Sequence, residues 1–267
     1  MTQYTLTDLL RVMERLRDPE TGCPWDLKQS FRSIVPSTLE EAYELADAIE
    51  SDDMQHVEEE LGDVLFQVVF YSQLGRELEV FDFTSVVHGI TEKLIRRHPH
   101  VFAEGQLEGV SQVELDSDEV KANWEAIKRI ERAEKQRHGL LDDIPVSLPG
   151  LTRAQKLQKR AATVGFDWSS LSDVLDNLES EIAELREALV TQDETAIADE
   201  MGDVLFSAVN LGRHLRLDTE QTLRQASAKF ERRFNAMVEH AQAAGDRIES
   251  LTQTELDALW QQVKHAE

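Results

Sequence analysis

Apolar residues along this chain recur at the three- and four-residue spacing of amphipathic helices, and no run alternates as a half-buried strand would. Leu6, Leu9, Leu10, Met13 and Leu16 set the pattern at the start. Asp18-Pro19-Glu20-Thr21-Gly22-Cys23-Pro24 then breaks it, since two prolines and a glycine oppose a helix. The pattern predicts further helices over Leu39–Ile49, with Ser37 or Thr38 as the cap, over Val57–Leu78, and from Phe83 to about Arg97. In the second of these, Leu61, Val64, Leu65, Val68, Val69 and Ser72 are expected on the inner side. His98-Pro99-His100 stops the third, 101–118 is polar loop, and Glu119–Arg137 is a charged helix carrying Trp124. After 139–150, with its two prolines and two glycines, helices are predicted over Leu151–Ala162, Leu171–Leu189, Ala196–Leu215, Thr219–His240 and around Leu256–Lys264. The chain is therefore expected to be all-α, with domains at 1–138 and 151–267 joined by a linker at 139–150.

A duplication underlies this pattern. Glu41, Glu44, Glu60 and Asp63 reappear as Glu181, Glu184, Glu200 and Asp203 at a constant offset of 140 positions, and Gly62-Asp63-Val64-Leu65-Phe66 reappears as Gly202-Asp203-Val204-Leu205-Phe206. A second set repeats at an offset of 136: Lys93, Arg97, Trp124 and Lys128 correspond to Lys229, Arg233, Trp260 and Lys264. The first repeat thus carries four extra residues between its acidic and basic helices, and Leu78-Glu79-Val80-Phe81 is the plausible place.

Within each quartet the acids come in pairs spaced i,i+3, so each pair lies on one helix face about a turn apart. Four clustered carboxylates repel one another, and a hard cation is the usual remedy. Oxygen-only donors from two antiparallel helices suit Mg²⁺, with Mn²⁺ as the alternative. In the second repeat Glu200, Asp203, Ser207 and Asn210 continue one face, while Met201, Val204, Leu205, Ala208 and Leu211 are expected to pack. A solvated face of Glu-rich helices is the plain alternative, but the intact duplication of the quartet beside a duplicated set of cations argues against it. Gly62 and Gly202 suggest close approach, because a mid-helix glycine costs about 1 kcal/mol against alanine. Lys229 and Arg233 on one face, with Lys264, suit phosphate oxygens, and Trp260 offers a surface for a base. A metal would then neutralise phosphate charge and acidify water while a spare carboxylate takes the proton. Spacing alone leaves attack at the α and the γ phosphorus both open.

Charge and composition narrow the partners. The 267 residues carry a formal net charge of −24, from 28 basic and 52 acidic side chains, which opposes nucleic acid as a bulk ligand. Cys23 is the only cysteine, so neither an intrachain disulfide nor a cysteine-based zinc cluster is expected. No stretch reads as a signal peptide or a membrane span, and a reducing cytoplasm is the expected location.

Gly22-Cys23-Pro24-Trp25-Asp26, Leu39-Glu40-Glu41-Ala42-Tyr43-Glu44, Glu60-Leu61-Gly62-Asp63, His98-Pro99-His100-Val101-Phe102, Arg153-Ala154-Gln155-Lys156 and Val164-Gly165-Phe166-Asp167-Trp168 together closely resemble the MazG family of nucleoside triphosphate pyrophosphohydrolases, within the all-α NTP pyrophosphatase superfamily. The resemblance covers nearly the whole chain. It implies Mg²⁺-dependent conversion of nucleoside triphosphates to monophosphate and pyrophosphate by water attack at the α-phosphorus, with broad base tolerance, in a homodimer of tandem domains. It implies metal ligands at both quartets, catalysis at Glu181, Glu184, Glu200 and Asp203, and nucleotide contacts at Lys229, Arg233, Trp260 and Lys264. The second repeat is the expected active half: it has Asn210 and Ser207 where the first has Phe70 and Gln67, and a basic helix containing Lys156 adjoins it. The first keeps the doubled glutamate Glu40-Glu41 where the second has Ser180-Glu181. Apolar faces such as Val64-Leu65-Val68-Val69 are expected to meet an equivalent hairpin of a partner, giving four-helix-bundle-type cores completed by dimerisation. The rival readings are an enzyme specialised for dUTP, dCTP or phosphoribosyl-ATP, and a non-catalytic helical regulatory or scaffold protein.

Overall fold

A computed structural model describes residues 3–110, 116–134 and 139–266. Among the described residues every regular element is helical, as the apolar periodicity predicts. The chain divides into two compact units, Met1–Arg129 and Ile130–Glu267.

The first unit contains α1 (Leu6–Leu16), α2 (Val35–Glu50), α3 (Met54–Glu77) and α4 (Phe83–Arg97), with α5 spanning Ser117–Glu134. Thr5 and Asp8 form a reciprocal capping box that starts α1 where the sequence places it. α2 begins earlier than the predicted Leu39, because Pro36 sits in its first turn, where a missing N–H costs nothing. Neither Ser37 nor Thr38 therefore caps it; Thr38 donates back to the Ile34 carbonyl at 2.9 Å from inside the helix. Met13, Ile34, Val69, Phe70 and Leu74 form the core joining α1, α2 and α3. Arg17, buried beneath α1, donates through Nε to Glu77 Oε1 at 2.7 Å and holds that carboxyl below its usual range.

In the second unit, α6 (Gly150–Ala162), α7 (Leu171–Thr191), α8 (Glu194–His214), α9 (Thr219–Ala243) and α10 (Gln253–Ala266) all fall close to their predicted spans. The Ser170–Asp173 capping box fixes the start of α7, the helix that carries Glu181 and Glu184. Gln192 ends it in the left-handed region at φ 56°, and Asp193 caps α8 at once by accepting from the N–H groups of Thr195 and Ala196. So short a connection makes α7 and α8 an antiparallel hairpin. α8 also packs on α6, and α10 packs on α9.

Two expectations about packing need correction. Leu61, Leu65 and Val68 on α3, and Met201 and Leu205 on α8, are exposed rather than inward, with Leu61 at 52%; within its unit each hairpin buries one flank only. A Cβ added to Gly62 or Gly202 would meet nothing within 4 Å. Close approach occurs later on the same helices, where the Phe81 ring lies against Gly75 and the Thr219 methyl against Gly212. No helix of the described residues is long and apolar enough to cross a membrane.

Because Ser170 satisfies an otherwise orphaned N–H at the start of α7, Ser170→Ala is expected to cost about 1 kcal/mol of stability, read as a lower urea midpoint at unchanged slope.

Candidate metal centre

The α7–α8 hairpin brings the second quartet together. One carboxylate oxygen from each of Glu181, Glu184 and Glu200 lies within 4.8 Å of the others. Asp203, one turn beyond Glu200, lines the adjoining cleft together with Glu181. In the first unit the corresponding triplet is Glu41, Glu60 and Asp63, and Glu44 acts on Glu41 through its charge. Each predicted quartet thus contributes a triplet that joins two helices, with Asp203 outside the one and Glu44 outside the other.

Electrostatics at both centres are those of crowded like charges. Partial burial, then the charges of Glu184, Asp203, Asp199 and Glu181, raise the pKa of Glu200. Burial, then Asp63, Glu44, Glu60 and Glu40, does the same to Glu41. Glu60 is buried, accepts from His56 Nε2 at 2.8 Å, and leaves Oε2 without a partner among the described residues. Oxygen donors at this spacing, with one buried acceptor unpaired, fit a hard divalent cation.

Around Glu181 and Glu184 the second unit adds positioning bonds. Asn177 donates through Nδ2 to Ser207 Oγ at 2.8 Å and to Glu181 Oε1 at 3.3 Å. Ser180, standing where the first repeat has Glu40, donates to Glu184 Oε1 at 3.1 Å. The substitution exchanges one charge for a hydrogen bond that orients another.

Beside the acids a cleft of ≈ 590 Å³ opens within the second unit. Asp203, Ser207 and Asn210, the polar stripe read from the sequence, line it together on α8. Leu157 and Ala161 of α6, Phe206, and the loop residues Phe166 and Trp168 supply apolar walls. The loop is tied down by Asp167, which receives Arg213 Nη1 at 3.0 Å and lies 3.0 Å from His214 Nε2. The guanidinium holds the Asp167 carboxyl down to about 2. Arg213 also donates through Nε to Asn210 Oδ1 at 3.0 Å, so the Asn210 carbonyl is already engaged. Asn177 and Arg213 escaped the sequence reading, although Asn177 lies four residues before Glu181 and Arg213 extends the α8 stripe by three, and Asp167 entered it only as part of a motif, without its partner.

Of the predicted nucleotide contacts Asn210 lines the cleft and the others stand outside it in the same unit. Arg233 lies over the Trp260 ring at 5.8 Å, and Phe230 meets the same ring at 5.5 Å. Lys229 and Lys264 are exposed on α9 and α10, and Lys156 is exposed on α6. None of these five residues is among those lining the cleft. In the first unit Lys93 and Arg97 are half-buried on α4, and Trp124 lies edge-on to His98 at 5.0 Å. The side chain of Lys128 lies outside the described residues.

Known proteins resemble this chain in sequence. A family model for the MazG nucleotide pyrophosphohydrolase domain matches residues 29–102 and again 169–238, and each match encloses one acidic quartet. A nucleoside triphosphate pyrophosphohydrolase of Escherichia coli K12 is 49% identical over 263 residues, covering 97% of both chains. The nucleoside triphosphate pyrophosphohydrolase/pyrophosphatase MazG of Thermotoga maritima is 41% identical over 96% of this chain and 94% of its own. An uncharacterised Bacillus subtilis protein, YabN, is 39% identical over 96% of this chain but 51% of its own length.

Two outcomes follow from the charge arrangement. In chelator, Glu200→Gln should melt above the parent because one of four repelling charges is gone, while the rise in melting temperature on adding Mg²⁺ should disappear; differential scanning calorimetry reads both. The Asp167–Arg213 pair is present above the ordinary carboxyl value of 3.8 and is lost as pH falls toward about 2. The stability gap between parent and Asp167→Asn, on the order of 1 kcal/mol at pH 6 for a pair this open to solvent, should therefore shrink as pH falls below 3.8 and close only below about 2.

Proposed function

The chain belongs to the MazG nucleotide pyrophosphohydrolase family and is a nucleoside triphosphate pyrophosphohydrolase, and from that premise we propose that its second repeat carries the reaction, at the acids joining α7 to α8. The observation that carries the assignment is the difference between the repeats at one position. Phe70 of the first unit is 1% exposed and fills the core. Asn210, its counterpart in the sequence, lines an open cleft beside Glu181 and Asp203.

Glu181, Glu184, Glu200 and Asp203 would hold Mg²⁺, with Mn²⁺ as the alternative. A divalent ion there supplies neutralisation of the triphosphate's negative charge and a more acidic water. A carboxylate of the quartet not engaged by the ion is the group suited to take the proton from the attacking water. Asn177 and Ser180 hold Glu181 and Glu184 in the orientation this requires. Lys229, Arg233 and Lys264 supply phosphate contacts, with Lys156 as a further cation. Attack is placed at the α-phosphorus, with pyrophosphate as the leaving group. The first quartet, Glu41, Glu44, Glu60 and Asp63, holds a cation in a supporting role.

The physiological unit is a homodimer of tandem domains, 1–138 and 151–267. The exposed stripes Leu61-Leu65-Val68 and Met201-Leu205, beside the open space at Gly62 and Gly202, suit burial against a second copy.

Glu200→Gln is expected to lower pyrophosphate release at least about 100-fold with the fold intact, whereas Glu60→Gln should keep it within about threefold. Hydrolysis in ¹⁸O-water should label the monophosphate and leave pyrophosphate unlabelled. Label in pyrophosphate, or turnover surviving Glu200→Gln, would remove the assignment.

A further inference from the structure

The cleft beside the acid centre has a polar feature that neither the metal nor the phosphates explain. Gln158 of α6 lines it and is 8% exposed. Its Nε2 donates to the Phe206 carbonyl at 2.8 Å, which fixes the amide, since the flipped orientation would set two acceptors against each other. Oε1 is consequently held in place, buried, with no donor among the described residues. A buried acceptor left unpaired is destabilising unless a ligand supplies the missing N–H or O–H.

We propose that this cleft is the nucleobase pocket and that Gln158 Oε1 accepts a hydrogen bond from an N–H on the Watson–Crick edge of the base. The inference rests on the acid centre as the site of hydrolysis. Phe166, 82% exposed, and Trp168 stand on the loop that Asp167 and Arg213 hold in place, and they present aromatic surface to the same cleft. Leu157 and Ala161 close it from α6. Glu181 and Asp203 at its edge put a base bound there next to its own phosphates. Trp260, by contrast, already has Arg233 over its ring and Phe230 beside it.

A single acceptor between apolar walls explains selectivity of a particular kind. Adenine and cytosine offer an exocyclic amine, guanine and uracil a ring N–H, so one fixed acceptor serves all four bases. What it rejects is a base whose donor has been replaced, because Oε1 is then left buried and unpaired.

The test compares UTP with N3-methyl-UTP on the full-length protein with Mg²⁺. The parent should prefer UTP in kcat/KM by about tenfold or more, and Gln158→Leu, similar in size but without an acceptor, should reduce that preference to below about twofold. A preference that persists in Gln158→Leu is steric, and it overturns the proposal, as does a parent with no preference. Should Gln158→Leu fail to fold, the parent alone decides: the drop must fall between N6-methyl-ATP, which keeps one N–H, and N6,N6-dimethyl-ATP, which keeps none, and equal values for these two overturn it. Failure of the acid-centre reading is separately visible, because there Glu200→Gln would leave turnover of every nucleotide intact.

Discussion

Repulsion among carboxylates is the constraint on which this structure turns. Glu181 and Glu184 on one helix face Glu200 and Asp203 on the next. The elevated proton affinity of Glu200 is the direct consequence. Capping of α7 by Ser170, the immediate start of α8 at Asp193, and the bonds from Asn177 and Ser180 all hold together groups that would otherwise separate. Such a site is expensive while empty and correspondingly receptive to a small divalent ion, which a triphosphate can accompany.

Duplication allowed the two copies to diverge around this shared constraint. In the first unit the helix position of Asn210 is Phe70, and in place of the polar stripe stands the core that joins α1 and α3. His56 lies against Glu60 there, whereas the matching position in the second repeat is Ala196. One copy has moved toward packing while keeping its acids; the other has kept an open wall. A small polar residue in place of an aromatic one accounts for much of that difference.

The helices and the acid clusters were legible from the sequence because both rest on local spacing: 3.6-residue periodicity fixes a face, and i,i+3 carboxylates share it. Apolar spacing placed the starts of α1 and α7 closely, while the cap read at Ser37 or Thr38 failed because Pro36 moved the start of α2, since a proline in the first turn begins a helix as readily as it breaks one. Long-range partners were not legible. Nothing in the spacing indicates that Asp167 meets Arg213 across 46 positions, or that Gln158 reaches the Phe206 carbonyl across 48. The glycines show the same limit: Gly62 and Gly202 stand in open space while Gly75 and Gly212 take the close contacts, because a glycine's neighbour is set by tertiary packing.

The Asp167–Arg213 tie has a mechanical corollary. Arg213 belongs to α8, the helix that also bears Glu200 and Asp203, so the aromatic loop is anchored to the same rod as two of the four acids proposed to hold the ion. Any roll or slide of that rod as the ion is captured is carried to the opposite wall of the cleft. With ion and base bound as proposed, their affinities would be thermodynamically linked through this helix, each changing the other by the same factor.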